Sequence, residues 1–275
     1  MKLLSLLLFV LLVGACRRNA PAEQDAAPLF REDWAADALW DDGQAEVATY
    51  AARREVYGKV REYEYTFITV KEEFNTEHGV KTDDYTRSDL YPVLKINKFA
   101  RLETDNYPYH YLTSLFYKRN EPGLLHKMTH SSQEWCGNTF KLFQQEGRGY
   151  QYLWSSYWDG QGDGREKLTG TPLFEDGLSH SLRALPFAEG LQFARPVLES
   201  QISNKATPPA TYQAHFTVSS SREEPLDSWQ VQVQLARDKT SHYWFAKAYP
   251  HILLRMQSWD GQELQLQQQE RRAYW

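Results

Sequence analysis

Cysteine is almost missing from this chain: 275 residues contain only Cys16 and Cys136. At most one intramolecular disulfide is therefore open to it, and a disulfide-stapled scaffold is excluded. Basic runs are missing too. The formal net charge is −5 and no Lys/Arg cluster stands out, so neither nucleic acid nor a basic membrane patch is an expected partner. No GxSxG, HExxH, Walker or dinucleotide motif occurs, and no fixed-period repeat points to a propeller or solenoid. These absences give no reason to expect a cofactor, and they lower the expectation of catalysis without excluding it.

Long apolar runs are confined to the first fifteen residues. Met1 and Lys2 precede an apolar stretch from Leu3 to Val13, broken only by Ser5, and Gly14, Ala15 and Cys16 follow. One positive charge and about a dozen apolar residues fall short of the roughly 20 that a spanning helix needs. The stretch reads as a cleavable secretory signal, residues 1–15. Its ending, Val13-Gly14-Ala15-Cys16, resembles the lipobox of bacterial lipoproteins, which implies lipidation at Cys16 and membrane attachment through that anchor. More than one acyl chain gives stable anchoring. With Cys16 committed to lipid, no internal disulfide remains.

Residues 16–28, from Cys16 to Pro28, are rich in Ala, Pro and charge without apolar periodicity, which predicts a flexible tether. Arg17 and Arg18 follow the lipid site and no acidic cluster does. That pattern predicts an outer-membrane lipoprotein facing the periplasm.

Residues 29–275 read as one antiparallel β domain. The chain has 9 Trp and 17 Tyr, and aromatics favour strands. Phe30, Trp34 and Ala38 recur four apart, predicting a short helix over Leu29–Trp40 with these three on one face. Alternation then takes over. Glu46–Arg54 and Val60–Phe74 flank Tyr57-Gly58-Lys59 as a long hairpin, with Tyr63, Tyr65, Phe67 and Thr69 on one face.

Further strands are expected at Val93–Leu102, Tyr109–Tyr117, Leu124–Ser131, Thr139–Gln145 and Tyr150–Trp158. The glycine-rich stretch Asp159 to Gly164 predicts a turn. After an irregular middle with a short helix at Leu178–Leu185, alternation returns in three sets. These are Tyr212, Ala214, Phe216 and Val218; Trp229, Val231, Val233 and Leu235; and Ile252, Leu254 and Met256. Asp260-Gly261 then turns the chain toward Leu264 and Leu266. The expected fold is mainly β, a large antiparallel curved sheet or open half-barrel with few helices.

Candidate chemistry is sparse. His126 and His130 have a spacing that binds metal on a helix, but on a strand that spacing separates them by roughly 13 Å, so no metal site is expected. Asp159, Gln161 and Asp163 resemble half a calcium loop, yet Gly170 stands where a bidentate Glu is required. Cys136, in Glu134-Trp135-Cys136-Gly137-Asn138, has two readings. It is a small buried hydrophobe, or it is the nucleophile of an envelope hydrolase or thiol enzyme served by His110, His126 or His130.

In Tyr107–Tyr117 both alternating faces are largely apolar, so both are expected to be covered. One arrangement makes Tyr63, Tyr65, Phe67, Tyr109 and Tyr111 the lining of a cavity for something long and apolar. The other is a plain two-layer core.

Pro92–Phe99, Tyr107–Tyr117, Gln133–Phe140 and the ending from Tyr243 to Trp275 resemble a family of uncharacterised Bacteroidetes lipoproteins, over nearly the whole mature chain. Some members carry the label septum formation inhibitor Maf. Maf proper is a cytoplasmic nucleotide pyrophosphatase with a phosphate-binding Ser/Arg loop, and this sequence has neither the loop nor the address. Tyr243 through Leu266 also resembles, more weakly, the closing strands of periplasmic lipoprotein-carrier half-barrels, which hold acyl chains. Together these resemblances imply a non-enzymatic envelope protein that binds lipid, lipoprotein or a partner protein.

Overall fold

The computed structural model describes residues 29–275 apart from Leu226. The signal, Cys16 and the tether lie outside the described residues. Nearly every strand joins one 16-stranded sheet by antiparallel pairing. On one side run β1 (Ala45–Val56), β2 (Lys59–Asn75), the short β3 (Val80–Lys81), β4 (Leu90–Leu102), β5 (Tyr109–Lys118), β6 (Leu125–Glu134), β7 (Gly137–Glu146), β8 (Gly149–Ser156) and β9 (Asp163–Thr169). On the other run β10 (Leu173–Phe174), β11 (Gln192–Leu198), β12 (Thr211–Ser220), β13 (Ser228–Ala236), β14 (Lys239–Ala246), β15 (Leu253–Gln257) and β16 (Glu263–Arg272). β1 pairs with β16, so the first and last strands meet in mid-sheet. The edges, β9 and β10, come from the middle of the chain. The result is the expected large curved, open antiparallel sheet.

The chain between the edge strand β10 and β11 fills the curve. After β10 come a 3-10 turn (Glu175–Gly177), helix α2 (Leu178–Ser181) and a second 3-10 turn (Leu182–Ala184). Leu173, Leu178, Leu182 and Leu185 pack with Tyr50, Tyr65, Phe67, Val231, Val233, Tyr243 and Phe245. Phe174 and Leu198 pack with Leu115, Tyr117, Met128, Phe143 and Tyr152 in a second cluster. This segment, with Leu198 of β11, thus covers both halves of the concave face. Each buried Leu or Phe contributes about 1.5–3 kcal/mol by leaving water.

Charge fixes this plug in place. Arg183 makes a bidentate pair with Glu46 of β1 at 2.7 and 2.8 Å, with both groups buried, and its guanidinium lies over the Trp34 and Trp40 rings. Removing one member of such a pair costs about 3–5 kcal/mol because the other charge stays buried.

Several expectations need correction. The leading helix is shorter than predicted: α1 is Glu32–Ala36, and a 3-10 turn at Ala38–Asp41 follows. Asp37 takes an extended conformation and its carboxylate accepts from Leu39 N, which breaks the helix. Trp34 and Trp40 are therefore buried while Ala38 is exposed.

On β5 one face is covered throughout and the other only near its end, where Phe116 packs on the buried Phe74. Tyr109, Thr113, Leu115 and Tyr117 are buried, whereas His110 and Leu112 are exposed. Leu112 joins Phe99, its cross-strand partner, on the outer surface. In β15 the buried pair is Leu253 and Met256, not Ile252, Leu254 and Met256, because the register with β14 shifts between Trp244 and Phe245. β9 and β11 carried no alternating signal, since β9 is mostly exposed and β11 buries only its last two residues, Val197 and Leu198.

The plug's tight fit gives the first test. A Cβ on Gly177 would lie 1.9 Å from the Tyr117 hydroxyl oxygen. Gly177→Ala should destabilise the protein by about 1–3 kcal/mol, the usual cost of overpacking. In urea titrations a Tyr117→Phe background, which removes that oxygen, should recover much of the loss. Equal losses in both backgrounds would show that the contact is relieved some other way.

Candidate functional site: an aromatic rim above a polar cleft

The hairpin tips at one end of the sheet carry exposed aromatic rings. Tyr57, Trp135 and Tyr157 are 71%, 79% and 64% exposed, in the β1–β2, β6–β7 and β8–β9 connections. They belong to a connected row. The Tyr57 and Tyr109 hydroxyls are 2.6 Å apart, Tyr109 contacts Tyr107 at 5.7 Å between centroids, and Tyr107 stacks on Trp135 at 5.8 Å. Tyr157 lies over Gly137, where a Cβ would fall 2.3 Å from its ring.

The backbone also accommodates this row. In the two-residue Tyr57-Gly58 turn, Tyr57 has φ of 55°, a left-handed conformation normally left to Gly, Asn or Asp. A large aromatic residue in that position costs about 1–2 kcal/mol.

Beneath the rim the aromatic contacts lead inward. Tyr111 stacks under Tyr109 and against His130, and with Tyr63 and Tyr65 it lines a crevice of about 10 Å³. Tyr65 and Phe67 line a neighbouring cleft of about 70 Å³. Ligand pockets typically measure roughly 300–1,000 Å³. The predicted lining residues therefore do gather, with Tyr109 placed toward the rim, but the plug leaves room for a few waters rather than an acyl chain. Ile202 of the loop after β11 faces both spaces.

The cleft contains ionisable groups that the sequence reading did not single out: Arg54, Lys98, Glu175, Asp176 and Asp260. Lys98 Nζ donates to Asp176 O at 2.6 Å and Ser179 Oγ at 2.7 Å, and burial pushes its pKa down to about 8. Lys141 donates to Gln201 O at 2.7 Å, with its pKa likewise lowered by burial to about 8. Burial raises the Asp176 carboxyl, which accepts from Ser200 Oγ and Gln201 N. Glu175 is pushed up to about 7 by burial, while Trp259 Nε1 and Ser200 N donate to it. The Tyr65 hydroxyl and Arg54 Nε are buried without a hydrogen-bond partner.

One signal for the lysines was available. Lys98 sits between Ile96 and Ala100 on the inward face, and Lys141 between Thr139 and Phe143. A lysine at an inward position of an alternating strand must have a buried partner. Arg54, the adjacent Glu175 and Asp176, and Asp260 come from three separate elements, and no local pattern marks them.

Cys136 is exposed, which corrects its reading as a buried hydrophobe. It occupies the β6–β7 tip, with Sγ 2.9 Å from the Tyr107 hydroxyl. The three histidines proposed to serve it are elsewhere. His110 is exposed on the outer face of β5. His126 bonds Tyr91 at the other end of the sheet. His130 Nδ1 accepts from Thr113 Oγ1 at 2.8 Å and its Nε2 donates to Ser203 O at 3.1 Å. Among the described residues no His, Cys, Asp and Glu grouping is arranged to hold a metal ion.

No family model and no curated protein matches the chain. Among solved structures it is similar to a β-barrel-like protein of domain of unknown function DUF1849 from Brucella abortus. That likeness has 9% identity and a TM-score of 0.48, covering 83% of this chain and 98% of the other.

His130 supplies a pH test. Burial, with Lys141 nearby, lowers its pKa from 6.5 to about 3, so the folded state keeps it neutral while the unfolded chain protonates near 6.5. The stability it contributes is complete above pH 6.5 and is lost as pH falls toward 3, by up to about 1.4 kcal/mol per pH unit. His130→Gln cannot titrate. In urea titrations the wild type's advantage over this variant should shrink between pH 7 and pH 5, and a constant difference would mean that His130 is not held neutral.

Proposed function

We propose that this chain is a non-enzymatic lipoprotein, anchored through Cys16 in the outer membrane and facing the periplasm, that binds an apolar segment of an envelope partner at its aromatic rim. The observation that carries this reading is the connected row Tyr57–Tyr109–Tyr107–Trp135, with Tyr157 beside it. Exposed Trp and Tyr held by their neighbours offer wide contact at little rotamer cost, as interface hot spots do. Tyr57's left-handed backbone supports the reading, since local strain gathers at functional sites. The Bacteroidetes lipoprotein resemblance points the same way. The filled interior favours a protein partner over a lipid, because a long acyl chain would have to displace the plug.

A photocrosslinking residue placed at position 57 in living cells should give a discrete protein adduct, and the same residue at Lys167 on the edge strand β9 should not. Losing an aromatic hot spot costs about 2 kcal/mol or more. Trp135→Ala should therefore cut the adduct at position 57 more than tenfold. An organic-extractable adduct would make lipid the ligand instead. Equal yields at 57 and 167 would remove the rim from consideration.

A further inference from the structure

At the opposite end of the sheet from the rim, a bowl of about 680 Å³ is lined by Tyr91, Lys118, Asn120 and His126, with Thr76 and Glu32 at its border. This volume lies within the range of small-ligand sites. It sits where β4 and β6 begin and β5 ends. Its walls are fixed by Arg119, whose three guanidinium nitrogens all donate hydrogen bonds. Nε donates to Ala35 O at 2.7 Å, Nη1 to Asp41 at 2.9 Å and Nη2 to Asp37 O at 3.1 Å.

Lys118 differs from Arg119. Its ammonium lies 5.7 Å from the Tyr91 ring centroid, and among the described residues it has neither a carboxylate partner nor a hydrogen bond. Lys127, next to His126, also lacks a carboxylate and donates to Gly79 O at 3.0 Å. In a chain of net charge −5, a lysine without an ion pair inside a concavity, with Glu32 as the bowl's one lining carboxylate, favours an anion.

His126 gives the bowl a second, switchable donor. Its Nδ1 is 3.4 Å from Gln145 Oε1, and its Nε2 is 2.9 Å from the Tyr91 hydroxyl. A carboxamide oxygen only accepts, so Nδ1 carries the proton and the bare Nε2 accepts from the Tyr91 O–H. On protonation Nε2–H would donate to the Tyr91 oxygen, and the phenolic proton would turn toward the bowl. The groups facing His126 are Tyr91 on β4, Lys118 on β5, Lys127 on β6 and Gln145 on β7. Burial and the two lysines hold the imidazole below its ordinary range.

We propose that this bowl binds a phosphate ester, with Lys118 and Asn120 on the anion and the Tyr91 ring against its organic part. Phosphate presents several acceptor oxygens to a lysine, a carboxamide and a freed phenol, and lysine binds it as a point charge. The source is either a phospholipid headgroup or a soluble phosphate ester. The described chain enters at this same end, where Phe30 packs against Gly123 in the β5–β6 connection. A headgroup source therefore rests on the anchor at Cys16; a soluble one does not.

The test uses the chain from residue 17, which keeps every described residue and lacks the lipid site. Glycerophosphoglycerol, a diester whose charge is constant across the pH range, should bind in the millimolar range and shift the His126 resonances. Binding should strengthen as pH is lowered from 7 to 5.5. Lys118→Gln should weaken it at least tenfold with an unchanged melting temperature, and Glu32→Gln should tighten it several-fold.

Co-sedimentation with phosphatidylglycerol vesicles, but not with phosphatidylcholine alone, would assign the headgroup. Diester binding without vesicle binding would assign a soluble ester. Undetectable diester binding to the wild type overturns the proposal, as does equal affinity in Lys118→Gln. Either result leaves the rim untouched, since the two sites share no residue.

Discussion

A wide antiparallel sheet that curls without closing must cover its own concave face, and here the segment between the edge strand β10 and its neighbour β11 does so. Everything else depends on that plug. Leu178, Leu182 and Leu185 supply apolar area. The direction of insertion is set by charge: Arg183 on Glu46, Lys98 on Asp176 O and Lys141 on Gln201 O. Apolar contacts alone would tolerate several registers of so short a helix. Buried cations that reach named backbone carbonyls tolerate few, because any other placement leaves them unpaired.

The same filling decides where binding can occur. With the interior closed to a few waters, the accessible features sit at the two ends of the sheet. The hairpin tips present rings in mutual contact, and the far end presents a cation without a carboxylate partner in an open bowl. The former is suited to an apolar segment and the latter to a small anion.

Much of the sheet was legible in the sequence because period-two alternation records which face is buried. Phe216 and Val218, and Val231 and Val233, alternate as read, whereas β2 is buried on both faces from Tyr65 to Val70. What was illegible depended on tertiary contacts. The edge strand β9 and the first five residues of β11 bury little and so carry no pattern. In β15 a one-residue register shift exchanged the faces, which no propensity records. Cys136 was misread because its aromatic neighbours suggested a core, whereas they form an exposed rim. The bowl gathers Tyr91, Lys118 and His126 from three strands, and only the pairing of those strands brings them together.

The most direct measurement of this account is native-state hydrogen exchange across Leu178–Gln201. If the plug is an integral part of the core, the amides of Leu182, Leu185 and Gln201 will exchange only through openings that approach global unfolding in free energy. Exchange at the rates of the exposed β2–β4 connection would contradict it, and would mean that the interior empties readily enough to admit a long apolar ligand.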